Sequence, residues 1–134
     1  MSGTSQGFGE HGAFTVSVGG DPRLAETVHE LTRKAAEMAG CSAADSTSLA
    51  DATSAVADAV GDAVDLAYRP MPYALVVEVR SGHRGEGAAS LHAALSRGDA
   101  FARVKALVPA AELQGAGVDE CCYLMCPRAD ARPA

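Results

Sequence analysis

The sequence is poor in large side chains and in the patterns that build common metal sites. It contains no Trp, three Phe and three Tyr, so its interior must be built mainly from Ala, Val and Leu. Its four cysteines lack the paired spacing and the nearby histidines of a zinc site. We therefore expect reduced, mostly buried thiols at Cys41, Cys121, Cys122 and Cys126.

Long apolar runs and a basic surface are also missing. No run of about 18 apolar residues occurs, and no charged leader precedes an apolar stretch, so we expect neither a membrane span nor a signal peptide. A cytoplasmic location follows as an expectation. The net charge is −6, and residues 1 to 68 carry 10 acidic and 3 basic residues. This distribution argues against binding to nucleic acid or to anionic membranes and favours a basic partner or a cationic metal.

A length of 134 residues suits one domain with its own core. Residues 1–12 and 128–134 are small, polar or charged without periodicity, which predicts flexible ends. The single domain then occupies residues 13–127.

Hydrophobic periodicity predicts a mixture of helices and strands within that domain. Strands are expected at residues 13–18, 73–80 and 121–126, and helices at about 22–39 and 88–96. Residues 101–113 fit either a strand or a helix that runs to Leu113, and Ala-rich flanks favour the helix. The order predicts a two-layer α/β sandwich, in which a small mixed sheet has helices packed on one face.

The most informative segment runs from Asp45 to Tyr68, for which the spacing predicts one long amphipathic helix. Apolar residues fall on one side of it, at Leu49, Ala52, Val56, Val60, Ala63 and Ala67. Four acids fall on the other side, at Asp51, Asp58, Asp62 and Asp65. No Lys or Arg occurs between Lys34 and Arg69 to neutralise them. The stripe is a solvated face, a ligand set for Mg²⁺, or a docking face for a basic partner.

Within this segment, Asp58 to Tyr68 (DAVGDAVDLAY) aligns without gaps to the pattern Glu-x-x-x-Asn-Ala-x-x-His-Ala/Gly-Tyr. With the order of elements, this pattern resembles the histidine-kinase-like ATPase fold, in its branch of anti-sigma factors and serine kinases. The likeness covers about residues 13–127. It implies that Asp58 takes the position that orients water or a hydroxyl, and that Asp62 takes the position of the Mg²⁺ ligand. Asp58 and Asp62 are then the candidate metal ligands, with Mg-ATP as the implied cofactor.

A glycine-rich loop supplies a second motif, Arg84-Gly85-Glu86-Gly87-Ala88-Ala89. It resembles the second glycine box of the same family, which implies nucleotide contacts from Arg84, Gly85 and Gly87 together with Asp62. The loop also resembles the Arg-x-x-Gly-x-Ala loop with which acetyltransferases bind coenzyme A. That alternative fold places an antiparallel hairpin before the loop, whereas the sequence predicts only one strand there.

Two features set this sequence apart from an active ATPase of that family. The Asp of the family's Asp-x-Gly-x-Gly motif is missing, and Arg80, which cannot accept a hydrogen bond, stands nearest to its position. Clustered carboxylates also repel a triphosphate unless a metal lies between them.

We therefore predict a regulatory protein-binding domain that resembles an anti-sigma factor and has degraded or lost ATP chemistry. In this interpretation it has no catalytic residue and requires no cofactor, and Asp51, Asp58, Asp62 and Asp65 form the partner-binding face. The resemblance implies a sigma factor, an anti-sigma antagonist or a second copy of the chain as partner. Two alternatives stay open: an acetyltransferase-like coenzyme A-binding protein, and an active Mg-ATP-dependent serine kinase with Asp58 as catalytic residue.

Overall fold

A computed structural model describes residues 14–19, 22–61, 63–82, 91–115 and 120–128. The predictions for residues 1–12 and for 129–134 lie outside these ranges. The elements in chain order are β1 (Phe14–Val18), α1 (Leu24–Met38), α2 (Ala43–Val60), β2 (Val64–Pro70), β3 (Ala74–Ser81), α3 (Leu91–Ser96), α4 (Ala100–Leu107), β4 (Glu112–Gln114) and β5 (Cys121–Pro127).

The five described strands form one sheet in the order β1-β2-β3-β5-β4. Every pair in it is antiparallel, so the prediction of a mixed sheet was wrong in this respect. The predicted α/β sandwich itself is confirmed. The strands predicted at 13–18, 73–80 and 121–126 correspond to β1, β3 and β5.

Side chains alternate between the two faces of this sheet. Leu66, Val77 and Leu124 point to the helix side and are fully buried in the core with the apolar residues of the helices. Residues of the opposite parity form what we call the open face, and the core cluster contains none of them. It carries Thr15, Ser17, Asp65, Ala67, Arg69, Val76, Glu78, Arg80, Cys121, Tyr123 and Met125.

Helix α2 is the central helix of the helical layer, packed between α1 and α4. Ser42 caps it, because the Ser42 hydroxyl accepts the Asp45 backbone N–H at 3.1 Å. The helix ends at Gly61, which has a φ of 70°. The predicted single helix from Asp45 to Tyr68 was therefore wrong, since the chain turns after Gly61 and returns as β2.

Helix α4 also ends earlier than predicted. It stops at Leu107 because Val108, which precedes Pro109, adopts an extended conformation with φ −132° and ψ 91°. The segment 101–113 thus contains a helix followed by the start of β4, and the helix predicted to run to Leu113 was wrong in its second half.

No helix in the described ranges is both long enough and apolar enough to cross a membrane. The longest, α2, has 18 residues and carries three aspartates.

Candidate functional site

Two of the four predicted partner-binding acids share the outer side of α2. Asp51 and Asp58 are seven residues apart, so they lie on one face of the helix. Asp58 is exposed, whereas Asp51 is half-buried and lies 2.8 Å from the His29 Nε2 of α1. Asp51 therefore joins two helices of the protein and is only partly available to a partner.

Asp65 lies elsewhere. It belongs to β2 and points to the open face, where its carboxylate accepts a hydrogen bond from the Ser17 hydroxyl at 2.8 Å. The sheet separates this side chain from Asp51 and Asp58, so the continuous acidic stripe predicted from the sequence was wrong. Asp62 lies outside the described residues.

The glycine-rich loop with Arg84, Gly85 and Gly87 also lies outside the described residues. At its near end, the Gly82 N–H donates to the Ala63 carbonyl at 2.8 Å, and a Cβ on Gly82 would come within 2.9 Å of the Ala63 Cβ. The strand before it pairs with β2 as an antiparallel hairpin. The objection to the coenzyme A alternative, that only one strand precedes the loop, therefore does not hold.

Metal binding has no support from the side chains that the structure does describe. These side chains include no group of three or more His, Cys, Asp or Glu residues arranged to hold an ion. Asp58 alone remains of the predicted Mg²⁺ pair, and its role stays a prediction.

A different site lies at the end of the sheet where β2 turns into β3. We call it the turn groove, a cavity of about 390 Å³ lined by Asp45, Ser48, Leu49, Tyr73, Ala74, Leu107, Val108, Pro109, Ala110, Met125, Cys126 and Pro127. Tyr73 at its rim is 64% exposed and Leu107 is 37% exposed. Met125 also lines the cavity, but its side chain belongs to the open face of the sheet. Two large apolar side chains therefore face solvent around one concavity, which is typical of an interaction site.

Backbone hydrogen bonds fix the walls of the turn groove. Arg128, just after β5, donates its backbone N–H to the Tyr73 carbonyl and its Nη1 to the Met71 carbonyl, both at 3.0 Å. The Met71 N–H donates to the Ala74 carbonyl at 2.7 Å. On the opposite wall, the Ala111 N–H donates to the Val108 carbonyl at 2.9 Å. The rim side chains thus project from a backbone that is already ordered, which lowers the entropic cost of binding.

Among the residues that the structure describes, Asp45 is the one charged residue that lines the turn groove. Its carboxylate lies in the first turn of α2, where the helix dipole favours a negative charge. It forms no ion pair with any residue in the described ranges. A ligand of this groove would therefore meet an apolar surface beside one free negative charge.

The wall of the turn groove contains one buried thiol, Cys126, which packs near Cys41 and has no catalytic character. Burial raises the pKa of the Cys126 thiol, and burial likewise raises the pKa of Cys41, whose Sγ lies 3.8 Å from the Cys126 carbonyl oxygen. A raised pKa disfavours the nucleophilic thiolate. All four cysteines are buried free thiols, as predicted.

The open face contains a cluster of charges that is satisfied within the protein. The Glu78 carboxylate accepts Arg69 Nε at 2.6 Å and Arg80 Nη1 at 2.9 Å, and the residue is 7% exposed. Burial raises the pKa of Glu78, but the hydrogen bonds from Arg80 and Arg69 outweigh it and hold that pKa below its usual range. Both carboxylate oxygens are occupied, so this cluster stabilises the sheet rather than presenting a free ligand group.

A second apolar cavity opens beside the edge strand β1. We call it the edge cleft; its volume is about 380 Å³ and its lining comprises Phe14, Leu31, Lys34, Ala35, Met38, Ala39, Tyr68, Pro70 and Leu75. Phe14 stacks on Tyr68 with ring centroids 6.1 Å apart, and the Tyr68 hydroxyl lies 2.9 Å from the Thr32 hydroxyl. Burial raises the pKa of Tyr68 to about 12, against the opposing effect of the Thr32 hydrogen bond.

Sequence reasoning missed both cavities. Their lining residues come from segments far apart in the chain, and only the turn Pro70-Met71-Pro72, which Tyr73 follows, gave a local signal of exposed apolar side chains. No protein-family model matches this chain, and no curated protein matches it.

Proposed function

We propose that this chain is a regulatory protein-binding domain whose turn groove receives an apolar side chain of a partner protein beside a basic residue. One observation carries the proposal: Tyr73 and Leu107 stand exposed around a single cavity, and Asp45 is the only charged residue among the described residues that line it. Exposed aromatic side chains around a concavity are enriched where proteins bind one another.

The charge of the partner follows from Asp45. A cation next to the inserted apolar side chain would pair with the free carboxylate, whereas an acidic segment would be repelled. The net charge of −6 acts in the same direction over a longer range. The partner segment is therefore expected to combine Leu, Phe or Met with Lys or Arg.

The resemblance to anti-sigma factors narrows the class of partner but does not carry this proposal. The alignment that suggested it now spans a helix, a turn and a strand, because α2 ends at Val60. In its favour, the hairpin β2–β3 supplies the central pair of strands that the family has. A sigma factor or its antagonist thus stays a proposed partner, in a cytoplasmic setting that the four free thiols support.

Binding of matched peptides tests the proposal. One synthetic peptide carries Phe and Leu flanked by Lys, and its matched peptide has Glu in place of each Lys. Fluorescence anisotropy should show binding of the first peptide and little of the second. The double variant Tyr73→Ser, Leu107→Ser should raise the Kd about tenfold or more. Met38→Ser, which changes an exposed apolar residue of the edge cleft, is the matched control and should leave the Kd unchanged.

Two results would contradict the proposal. Equal affinity for both peptides would remove the role of Asp45, and affinity that survives the double variant would place binding elsewhere. Thermal shift tests the alternatives on the same preparation: stabilisation by Mg-ATP that a chelator abolishes would favour the kinase, and stabilisation by acetyl-coenzyme A would favour the coenzyme A-binding protein. A ligand at 100 times its Kd stabilises by about 2.7 kcal/mol, so either effect would be visible.

A further inference from the structure

The edge cleft is lined by apolar groups from both layers of the protein. Helix α1 and the residue after it contribute Leu31, Lys34, Ala35, Met38 and Ala39, and the sheet contributes Phe14, Tyr68, Pro70 and Leu75. Lys34 is the only charged residue among these described lining residues. A ligand of this cleft would exchange water for apolar contacts, which favours a ligand with an apolar body.

The one hydroxyl group in this lining already has a partner inside the protein. The Tyr68 Oη lies 2.9 Å from the Thr32 Oγ1, and both residues are buried. The Phe14 ring stacks on the Tyr68 ring and so belongs to the wall of the cleft. A polar group that enters such a lining without a hydrogen bond costs free energy. The inserted part of a ligand is therefore expected to be a plain hydrocarbon.

Lys34 supplies a positive charge on the solvent side of the cleft, since the residue is exposed. It forms no ion pair with any residue in the described ranges. The acids one turn to either side of it on α1, Glu30 and Glu37, are both paired with Arg33. The aliphatic stem of a Lys can lie along apolar surface while its ammonium group stays in water. Lys34 can therefore pair with an anionic group at the outer end of a hydrocarbon chain.

We infer that the edge cleft binds a free medium-chain fatty acid, whose chain lies on Leu31, Tyr68 and Leu75 and whose carboxylate pairs with Lys34. The cavity of about 380 Å³ is near the lower end of the range of small-molecule sites, about 300–1,000 Å³, which suits a chain of medium length. The inference does not depend on the function proposed for the turn groove, because the two cavities share no described lining residue.

Isothermal titration calorimetry of the full chain with decanoate, held below its micelle concentration, tests the inference. Decanoate should bind. Octanoate, which is two methylenes shorter, should bind about fifteenfold more weakly, because each buried methylene contributes about fourfold in affinity. Decylamine is the matched ligand with a similar chain and a cationic head, and repulsion by Lys34 should make it bind more weakly than decanoate.

Two variants locate the ligand. Ala35→Phe adds a ring to the lining of the cleft and should abolish binding of decanoate. Lys34→Gln changes an exposed residue, so it should spare the fold, raise the Kd of decanoate by about fivefold at most and reduce the difference between decanoate and decylamine. Leu107→Ser in the turn groove is the matched control and should leave the Kd of decanoate unchanged. Circular dichroism and thermal melting verify that each variant is folded.

Absence of decanoate binding to the full chain would overturn the inference, because it would mean that the cleft is closed to this ligand. Equal affinity for decanoate and decylamine would overturn it too, as would an affinity that survives both Ala35→Phe and Lys34→Gln. If Tyr73→Ser with Leu107→Ser abolishes binding instead, the fatty acid occupies the turn groove and the edge cleft is not its site. Binding to phosphatidylglycerol vesicles without binding of dispersed decanoate would indicate a membrane surface as the ligand and would refute the free fatty acid.

Discussion

The turn groove and the edge cleft are nearly equal in volume, and both are apolar with exposed apolar side chains. They differ in the charge that lines them. Among the described residues, the turn groove has one acid without an ion pair, Asp45, and walls fixed by backbone hydrogen bonds, whereas the edge cleft has one base without an ion pair, Lys34. The difference teaches that volume and apolarity alone do not define a partner. The charge at the rim and the neighbouring backbone groups do so.

The largest expected effect is a difference in lost stability between two leucines, one from the lining of each cavity. Leu49 at the turn groove is fully buried and belongs to the core, whereas Leu31 at the edge cleft is only partly buried. Leu49→Ala should lower the free energy of unfolding by about 2–5 kcal/mol, and Leu31→Ala by less than about 2 kcal/mol. Denaturant unfolding measures both. Equal losses would mean that the two cavities are equally part of the core.

The next effect concerns the Glu78 cluster, which belongs to neither cavity. Glu78→Gln should lower the free energy of unfolding by about 1–3 kcal/mol, because the amide oxygen can accept from only one of the two arginines and the negative charge between them is lost. Peptide binding should stay unchanged. Loss of peptide binding would show that the open face takes part in binding.

The same cluster makes the stability of the folded protein depend on pH in the acid range. The pKa of Glu78 is lower in the folded protein than in the unfolded chain. Its contribution to the free energy of unfolding is therefore fully present above about pH 4.3, the ordinary pKa of glutamate. That contribution is lost as the pH falls through the pKa that Glu78 has in the folded protein. Denaturant midpoints measured against pH should therefore fall less steeply in acid for Glu78→Gln than for the wild type.

A smaller loss of stability is expected from a change at Tyr68, which lines the edge cleft. Tyr68→Phe leaves the Thr32 hydroxyl without its partner and should cost about 1–2 kcal/mol. The pKa of Tyr68 is raised to about 12 in the folded protein, so its contribution is present below about pH 10, the unfolded value, and is lost as the pH rises towards 12. The variant should lack this alkaline loss. The double variant with Thr32→Val should recover part of the stability, and failure to do so would mean that the two hydroxyls are not coupled.

The smallest effect concerns the charge in the turn groove. Asp45→Asn should weaken binding of the Lys-containing peptide by about fivefold at most, since an exposed ion pair contributes under about 1 kcal/mol. The loss should diminish as salt is added. An unchanged affinity at low salt would leave the groove without selectivity for charge, and the comparison with the edge cleft would lose its basis.

The sequence was sufficient to predict three of the five described strands, β1, β3 and β5, and the class of fold. β3 and β5 are runs of β-branched or apolar residues bounded by turn residues, and local alternation identifies such strands. Helix α1 was predicted from its period. Its last residue, Met38, continues the apolar spacing of the helix and is nevertheless almost fully exposed.

The region around Gly61 shows what the sequence could not decide. Val60, Val64 and Tyr68 recur every four residues, which satisfies both a helical face and the even positions of a strand. The choice depends on β2 pairing with β1 and β3, partners that lie far away in the chain. Gly61 is a local signal of a helix end, whereas the regular spacing of the acids favours a helix that continues past it.

Site-specific photo-crosslinking in cells tests the central claim most directly. A photoreactive amino acid is placed at Tyr73 in one variant and at Lys34, which lies outside the turn groove, in a control variant, and the adducts are identified by mass spectrometry. The proposal leads us to expect one or a few different proteins with a basic and apolar contact segment at position 73, and none of these proteins at position 34. If position 73 captures only this chain or nothing at all, the turn groove does not bind a partner protein and the proposed function is wrong.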